Sequence, residues 1–326
     1  MGLGYTRVML LQELNKFLQD EIETLLAPVA DTAGLSNLVK EALQKNRPDP
    51  GVSTVAVRCW PLLPLIVCDT ICGRYEQALP AAAGLEMLKA AAEVFDDIED
   101  ADNAESLAAK YGFPLAVNTA SALLIGAERA FARLYTRGVD SKIIVSLMDK
   151  VNSYYLAACG GQHLDLSLLP AEAASEEMYL RVTGMKSAFA AECACYTGAA
   201  LAGAEVELVQ SMAEFGHNLG MAAQIANDIK GITGLRDIRQ RKITLPVTYA
   251  LAQTNGEIHR LLETTFLKTD IKVTSPPGLI SDTLFDCGGI LYASFKMEVY
   301  KQRALDILNA LELKDIQVKP LRDFVA

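Results

Sequence analysis

Apolar residues recur at spacings of three and four through most of the chain, while the alternation of period two that marks half-buried strands is scarce. Leu208, Met212, Phe215, Leu219, Ala222, Ile225 and Ile229 form one such stripe, the core-facing side of a long helix. The stretch from Leu85 to Asp100 is alanine-rich and free of Gly and Pro. Ala116 to Leu134 is similar, with Gly126 as its only breaker. Turn chemistry gathers at Asn46-Arg47-Pro48-Asp49-Pro50-Gly51, at Leu169-Pro170 and at Thr274-Ser275-Pro276-Pro277-Gly278. These breaks are turns and not long linkers, and no repeat or low-complexity tract interrupts the pattern. It predicts one all-α domain over residues 1–326, its helices packed around a cavity.

Composition narrows the partners. Hydrophobic residues make up 51% of the 326 residues, ample for a large core. The net charge of −10 and the pI near 4.9 disfavour nucleic acid and anionic membrane surfaces. An anionic substrate remains compatible, because a bound metal supplies local positive charge. Seven cysteines and three histidines show no zinc-ligand spacing. Their odd number and apolar settings predict reduced, buried thiols and a cytoplasmic location. No basic-then-apolar leader and no apolar run of bilayer length is present, which predicts no stable membrane insertion.

The chemistry concentrates in two polar boxes. Asp96-Asp97-Ile98-Glu99-Asp100 ends one apolar helical run, and Gln224-Ile225-Ala226-Asn227-Asp228 ends another. Asp96 and Asp100 share a helix face, and a helix C-terminus is already partly negative. Such carboxylates repel one another unless a cation separates them. Mg²⁺ is the fitting ion, and it normally completes its shell with water and substrate phosphate. Two such helix ends facing each other would clamp a diphosphate. Gly161-Gln162-His163-Leu164-Asp165-Leu166 offers an amide and a carboxylate. Lys186 follows Gly184, and Asp237 to Pro246 is a basic segment suited to an anion.

In their order and spacing these strings resemble the trans-prenyl diphosphate synthases, the polyprenyl synthetase group of class I isoprenoid synthases. Glu86-Met87-Leu88-Lys89 stands ahead of Asp96-Asp97 at the family's spacing. Lys110-Tyr111-Gly112-Phe113-Pro114 is similar to its Arg-Arg-Gly-x-Pro, and Gly161-Gln162…Asp165-Leu166 to its Gly-Gln-x-x-Asp-Leu. Lys186-Ser187 stands where it has Lys-Thr, and Lys242-Ile243-Thr244-Leu245-Pro246 echoes its Lys-x-Thr-x-Pro. The resemblance implies an isoprenoid-synthase-type helical bundle around a deep central apolar cavity, three Mg²⁺ ions and a homodimer. It assigns metal binding and catalysis to Asp96, Asp97, Asp100, Asn227 and Asp228. Diphosphate binding falls to Arg58, Lys110, Lys186, Lys242, Gln162 and Gln224. Ala91, Ala92, Phe95 and Asp165 are assigned to the pocket.

The departures from that family shape the functional expectation. Elongating members hold isopentenyl diphosphate with a Lys-Arg-x-Arg before a proline, where this chain reads Val57-Arg58-Cys59-Trp60-Pro61. The histidine of Glu-x-x-His is Lys89, and the arginine pair is Lys110-Tyr111. Each lost charge-assisted contact is worth roughly 1.5–3 kcal/mol. In the second motif the first acid is Asn227 and the third place is Gly231, so coordination there is thinner, with Asp237 or a water as the alternatives for making up the loss. The expectation is therefore ionisation of farnesyl or geranylgeranyl diphosphate followed by cyclisation to a terpene. Its alternatives are chain elongation with isopentenyl diphosphate, prenyl transfer to another acceptor such as a tryptophan side chain, or a non-catalytic subunit of a heterodimeric synthase. Glu93, one turn beyond Lys89, is expected to pair with it.

Overall fold

The structure, a computed structural model, describes residues 2–45, 60–100, 103–268, 275–313 and 316–325, and all regular structure within them is helical. Two compact units divide the chain. One comprises Met1–Asn152, Cys193–Ala213 and Leu308–Ala326, the other Ser153–Glu192 and Glu214–Ile307. Neither is contiguous in sequence, so no linker marks them.

The first unit holds α1 (Gly2–Leu26), α2 (Ala33–Lys45), α3 (Leu63–Cys72), α4 (Leu79–Asp100), α5 (Leu107–Tyr111), α6 (Phe113–Ala132) and the start of α7 (Ser141–Ser167). The most extensive contact among its described helices is α4 against α6. Small residues make it possible. Ala81, Ala82, Ala83, Ala90 and Ala91 of α4 are buried, and a Cβ on Gly84 would stand 3.0 Å from Phe131 Cε2 and 3.3 Å from the Ala127 carbonyl. Gly126, a helix breaker by propensity, is the bare spot on α6 against which Met87 lies; a Cβ there would sit 2.8 Å from its sulfur. Leu85, Leu88 and Val94 of α4 and Leu123 and Phe131 of α6 are also buried, each contributing roughly 1.5–3 kcal/mol on burial. Ser106 caps α5 by accepting from the Ala109 amide, and Gly112, at φ 89°, turns the chain into α6.

The second unit takes up the end of α7 and continues with α8 (Pro170–Ala173), α9 (Glu176–Thr183), a π-helical turn (Gly184–Ala188) and the start of α10 (Phe189–Leu201). Most of α11 (Val206–Thr233) follows, then α12 (Arg236–Arg239), α13 (Leu245–Gln253), α14 (Gly256–Phe266), α15 (Pro277–Asp286) and most of α16 (Gly289–Glu312); α17 (Lys319–Arg322) belongs to the first unit. Gly216 and Gly220 set α11 almost backbone to backbone on Ala188–Ala191, where a Cβ would come within 2.3 Å of the Ala191 carbonyl and 2.7 Å of Ala188 Cα. Ile232, Ile238, Val247, Leu262, Phe266, Ile280 and Leu284 pack the core behind it.

The six described cysteines are free thiols. Cys159 is exposed, a correction to the expectation of uniformly buried thiols: its position on α7 faces solvent although its neighbours in sequence are small and apolar. Burial pushes Cys68 up to about 12. Among the described residues no helix is long and apolar enough to cross a membrane.

Candidate active site

In the first unit, Asp96, Asp97 and Asp100 occupy the last turns of α4 and are half-buried. The helix ends there, so the carboxylates add to the negative end of its dipole. Asp97 Oδ1 accepts from Asn103 Nδ2 at 2.8 Å. One turn upstream Glu93 accepts from Lys89, the pairing its spacing predicts. Ala91 is buried and Ala92 exposed, because consecutive helix positions point about 100° apart; Phe95 is half-buried. Lys110 ends α5 and contacts Glu105 at 3.0 Å and Glu41 at 3.4 Å, while the Tyr111 hydroxyl donates to Glu41 at 2.9 Å. Hydrogen bonding to Glu105 holds Lys110 above its ordinary range. Arg58 lies outside the described residues.

In the second unit α11 carries Gln224, Asn227 and Asp228. Asp228 is 4% exposed. Gln224 Nε2 donates to its Oδ1 at 2.8 Å, and the Tyr179 hydroxyl, from α9, donates to its Oδ2 at 2.6 Å. Burial pushes Asp228 up to about 6; the two donors and Arg236 work against this, and the charge of Asp237 adds to it. Burial, and then the Asp228 charge, raises the Tyr179 phenol far above its usual range. Asn227 is exposed, one helix step from the buried Asp228.

Gln162, near the end of α7, has both amide atoms buried without a hydrogen-bond partner among the described residues. The neighbouring Gly161 lies against the π turn, where a Cβ would be 2.9 Å from the Lys186 amide nitrogen. Lys186 sits within that turn and reaches Asp165 Oδ2 at 2.6 Å. Turns of this kind cluster at functional sites. Lys242 is exposed; its amide donates to the Asp237 carbonyl at 2.8 Å. Thr244, which starts α13, is buried with its hydroxyl unpartnered among the described residues. Orphaned polar atoms of this sort cost free energy unless a ligand meets them.

Among the described residues no group of three or more His, Cys, Asp or Glu side chains is gathered as a metal cage. Each acidic box instead turns onto donors of its own unit, Asn103 in one and Tyr179 with Gln224 in the other. The donor set is nonetheless that of a hard cation: carboxylate oxygens at a negative helix end, and a buried carboxylate whose ionisation burial opposes. These residues fit Mg²⁺.

The polyprenyl synthetase family profile matches residues 58–275. A geranylgeranyl diphosphate synthase of Sulfolobus acidocaldarius is 30% identical over 285 residues, 81% of this chain and 84% of that protein. The chain belongs to the polyprenyl synthetase family. It is thereby an enzyme acting on prenyl diphosphates. The tryptophan prenyltransferase ComQ of Bacillus spizizenii is 26% identical over 247 residues, 74% of this chain and 83% of that protein. A geranylgeranyl pyrophosphate synthetase structure from Geoglobus acetivorans has a TM-score of 0.80 at 22% identity, covering 97% of this chain and 96% of its own. Another, from Corynebacterium glutamicum and complexed with isoprenyl diphosphate and magnesium, has a TM-score of 0.71 at 21% identity and 99% coverage of both chains. The polyprenyl synthetase fold is thus the all-α one that the apolar periodicity and the resemblance predict.

Sequence reasoning missed Tyr179, Asn103 and Glu41. Asn103 lies close enough to the first box to have been a candidate on spacing. Tyr179 is 49 residues from Asp228 and Glu41 is 69 from Lys110, so only the folded chain brings them to their partners.

Proposed function

We propose that the chain is a magnesium-dependent trans-prenyltransferase that extends an allylic diphosphate of the farnesyl or geranylgeranyl class with isopentenyl diphosphate. The observation that carries this reading is the family match over residues 58–275, together with a 30%-identical relative that is a geranylgeranyl diphosphate synthase over most of both lengths. The cyclisation expected from the thinned acceptor cations has no counterpart among the relatives named above, and elongation takes its place.

The reaction breaks the allylic C–O bond, the electron pair leaving on diphosphate; the acceptor's double bond attacks the resulting cation, and a proton is then lost. Magnesium, taken as three ions, would neutralise the charge developing on the leaving group. The residues that would hold it are Asp96, Asp97, Asp100, Asn227 and Asp228. Tyr179 and Gln224 fix the Asp228 carboxylate in one orientation. Lys186 and Lys242 offer cationic side chains to phosphoryl oxygens, and the Gln162 amide offers a donor without an acceptor among the described residues. Arg58 and Lys110 serve the acceptor's diphosphate. Ala91, Ala92, Phe95 and Asp165 shape the space for the prenyl chain. A cytoplasmic homodimer accords with this function.

One observation favours a second reading, prenyl transfer to an acceptor without a diphosphate. The acceptor-side cations are already offset by acids of the same chain, Lys110 by Glu41 and Glu105 and Lys89 by Glu93. Product analysis separates the two. The purified chain is given Mg²⁺ and farnesyl or geranylgeranyl diphosphate, with and without labelled isopentenyl diphosphate. A longer diphosphate formed only with isopentenyl diphosphate supports elongation. Turnover that requires a tryptophan peptide supports the second reading, and a hydrocarbon or terpene alcohol formed from the allylic substrate alone overturns both.

A further inference from the structure

We infer that α16 fixes the second metal motif at one remove: Tyr292 and Lys296 clamp Glu176 at the head of α9, and α9 in turn holds the Tyr179 hydroxyl on Asp228. The inference rests on the function proposed above and deepens it by adding positioning residues to that site. α9 has eight residues, about two turns, too few to be stable on its own hydrogen bonds. Its place therefore comes from its contacts. Ser175 caps it by accepting from the Met178 amide at 3.1 Å. One residue later Glu176 is held at both carboxylate oxygens. Its Oε2 accepts from the Tyr292 hydroxyl at 2.7 Å, and its Oε1 meets Lys296 Nζ at 2.7 Å.

The clamp is itself braced. The Tyr292 ring stacks on Tyr249 of α13, with centroids 4.2 Å apart and planes 17° apart, and Lys296 Nζ lies 5.5 Å from the centroid of the Tyr292 ring. Tyr292 and Lys296 stand one turn apart on α16, so one helix face supplies both donors. A lone surface ion pair contributes little. This carboxylate differs in having a second donor that stacking already holds in place. On the buried side, Tyr179 packs with Ile225 of α11, Leu245 of α13 and Ala293 of α16. Glu176 and Tyr179 are three residues apart, neighbours on the α9 surface. A shift of α9 at Glu176 is thus a shift of the phenol, whose 2.6 Å bond to Asp228 Oδ2 tolerates little movement. The same helix runs directly into the π turn that carries Lys186. Glu176, Tyr292 and Lys296 are positioning residues, acting on Asp228 through Tyr179.

The test is a double-mutant cycle on Mn²⁺ binding to the full chain in the presence of inorganic pyrophosphate, read by calorimetry, with Tm recorded for every variant. Tyr179→Phe removes the donor to Asp228 and should weaken Mn²⁺ binding about tenfold, as loss of an outer-shell partner does. Tyr292→Phe keeps the stack on Tyr249 but loses the bond to Glu176; it should weaken binding at least about threefold, less than the directly bonded partner. In the Tyr179→Phe background the same change should alter affinity by less than about twofold, because the group through which it acts is gone. A merely structural role for Tyr292 would instead give independent losses that multiply. Wild-type affinity in either single variant, or an undiminished loss in the Tyr179→Phe background, overturns the inference. If Tyr292→Phe does not fold, Lys296→Met measured in both backgrounds decides by the same criterion. Asp228→Asn separates this inference from its premise. If it too leaves Mn²⁺ binding intact, the magnesium-dependent function fails; if it weakens binding while Tyr292→Phe does not, only the clamp fails.

Discussion

At pH 7 Asp228 is a buried negative charge whose desolvation is only partly offset by Tyr179, Gln224 and Arg236. Its ordinary value is 3.8 and its folded value about 6, so the folded chain holds the proton more tightly than the unfolded one. This group therefore adds stability below about pH 4 and loses it as pH rises through about 6, by on the order of 3 kcal/mol. Asp228→Asn should then raise Tm at pH 7, with the difference fading towards pH 4, while pyrophosphate release falls to background. Thermal melts across pH check the first part, and a melting point below wild type at pH 7 would refute the electrostatic account. Tyr179→Phe should act in the opposite sense. It removes one donor to a buried carboxylate, costs about 1–3 kcal/mol above pH 6 and less at pH 5, and lifts Asp228 further; urea titrations at both pH values report it. At this scale the sequence already places Gln224 and Asp228 in one polar box, and the structure pairs them. It has no signal for the phenol that completes the site.

Helix against helix, the chain relies on bare α-carbons. Gly216→Ala would press a methyl to within 2.3 Å of the Ala191 carbonyl, and backbone cannot give way as a side chain can. A loss of about 1–3 kcal/mol or more is expected. Gly278, with nothing within 4 Å of its Cβ position, is the control; Ala there should be neutral or slightly stabilising. Equilibrium denaturation of the two variants makes the comparison. The helices α4, α6 and α11 are legible in the sequence because a stripe of period 3.6 needs no long-range information. Gly126 is not legible in the same way. Propensity marks it as a breaker, yet its role is to let Met87 lie against α6. The π turn around Lys186 escapes for a similar reason: one extra residue in a helical run leaves the apolar pattern almost unchanged.

For the whole molecule the predictions concern cations. Chelation of divalent metal should abolish turnover. Mg²⁺ with pyrophosphate should raise Tm more at pH 8 than at pH 5, because metal and proton compete for carboxylates that include Asp228; differential scanning fluorimetry reads both. Under elongation, Lys110→Ala should raise KM for isopentenyl diphosphate about tenfold, as expected for one charge-assisted contact, with KM for the allylic substrate little changed. Steady-state kinetics that show the reverse would reassign Lys110 to the donor. The sequence weighed the missing acceptor arginines and favoured cyclisation. The acids folded against Lys110, Glu41 and Glu105, lower the acceptor-side charge further, so the charge count still points away from a diphosphate acceptor, and the reading of elongation rests on the family and the relatives instead.

Local spacing by itself determined the helical character, the two acidic boxes, the Lys89–Glu93 pair and the family, because each depends on residues within a few turns or on the order of short strings. Tertiary structure alone decided how far Asp228 is buried and which hydroxyl holds it. Those outcomes depend on segments distant in sequence meeting in a close-packed interior, where a missing methyl group is as consequential as a charge.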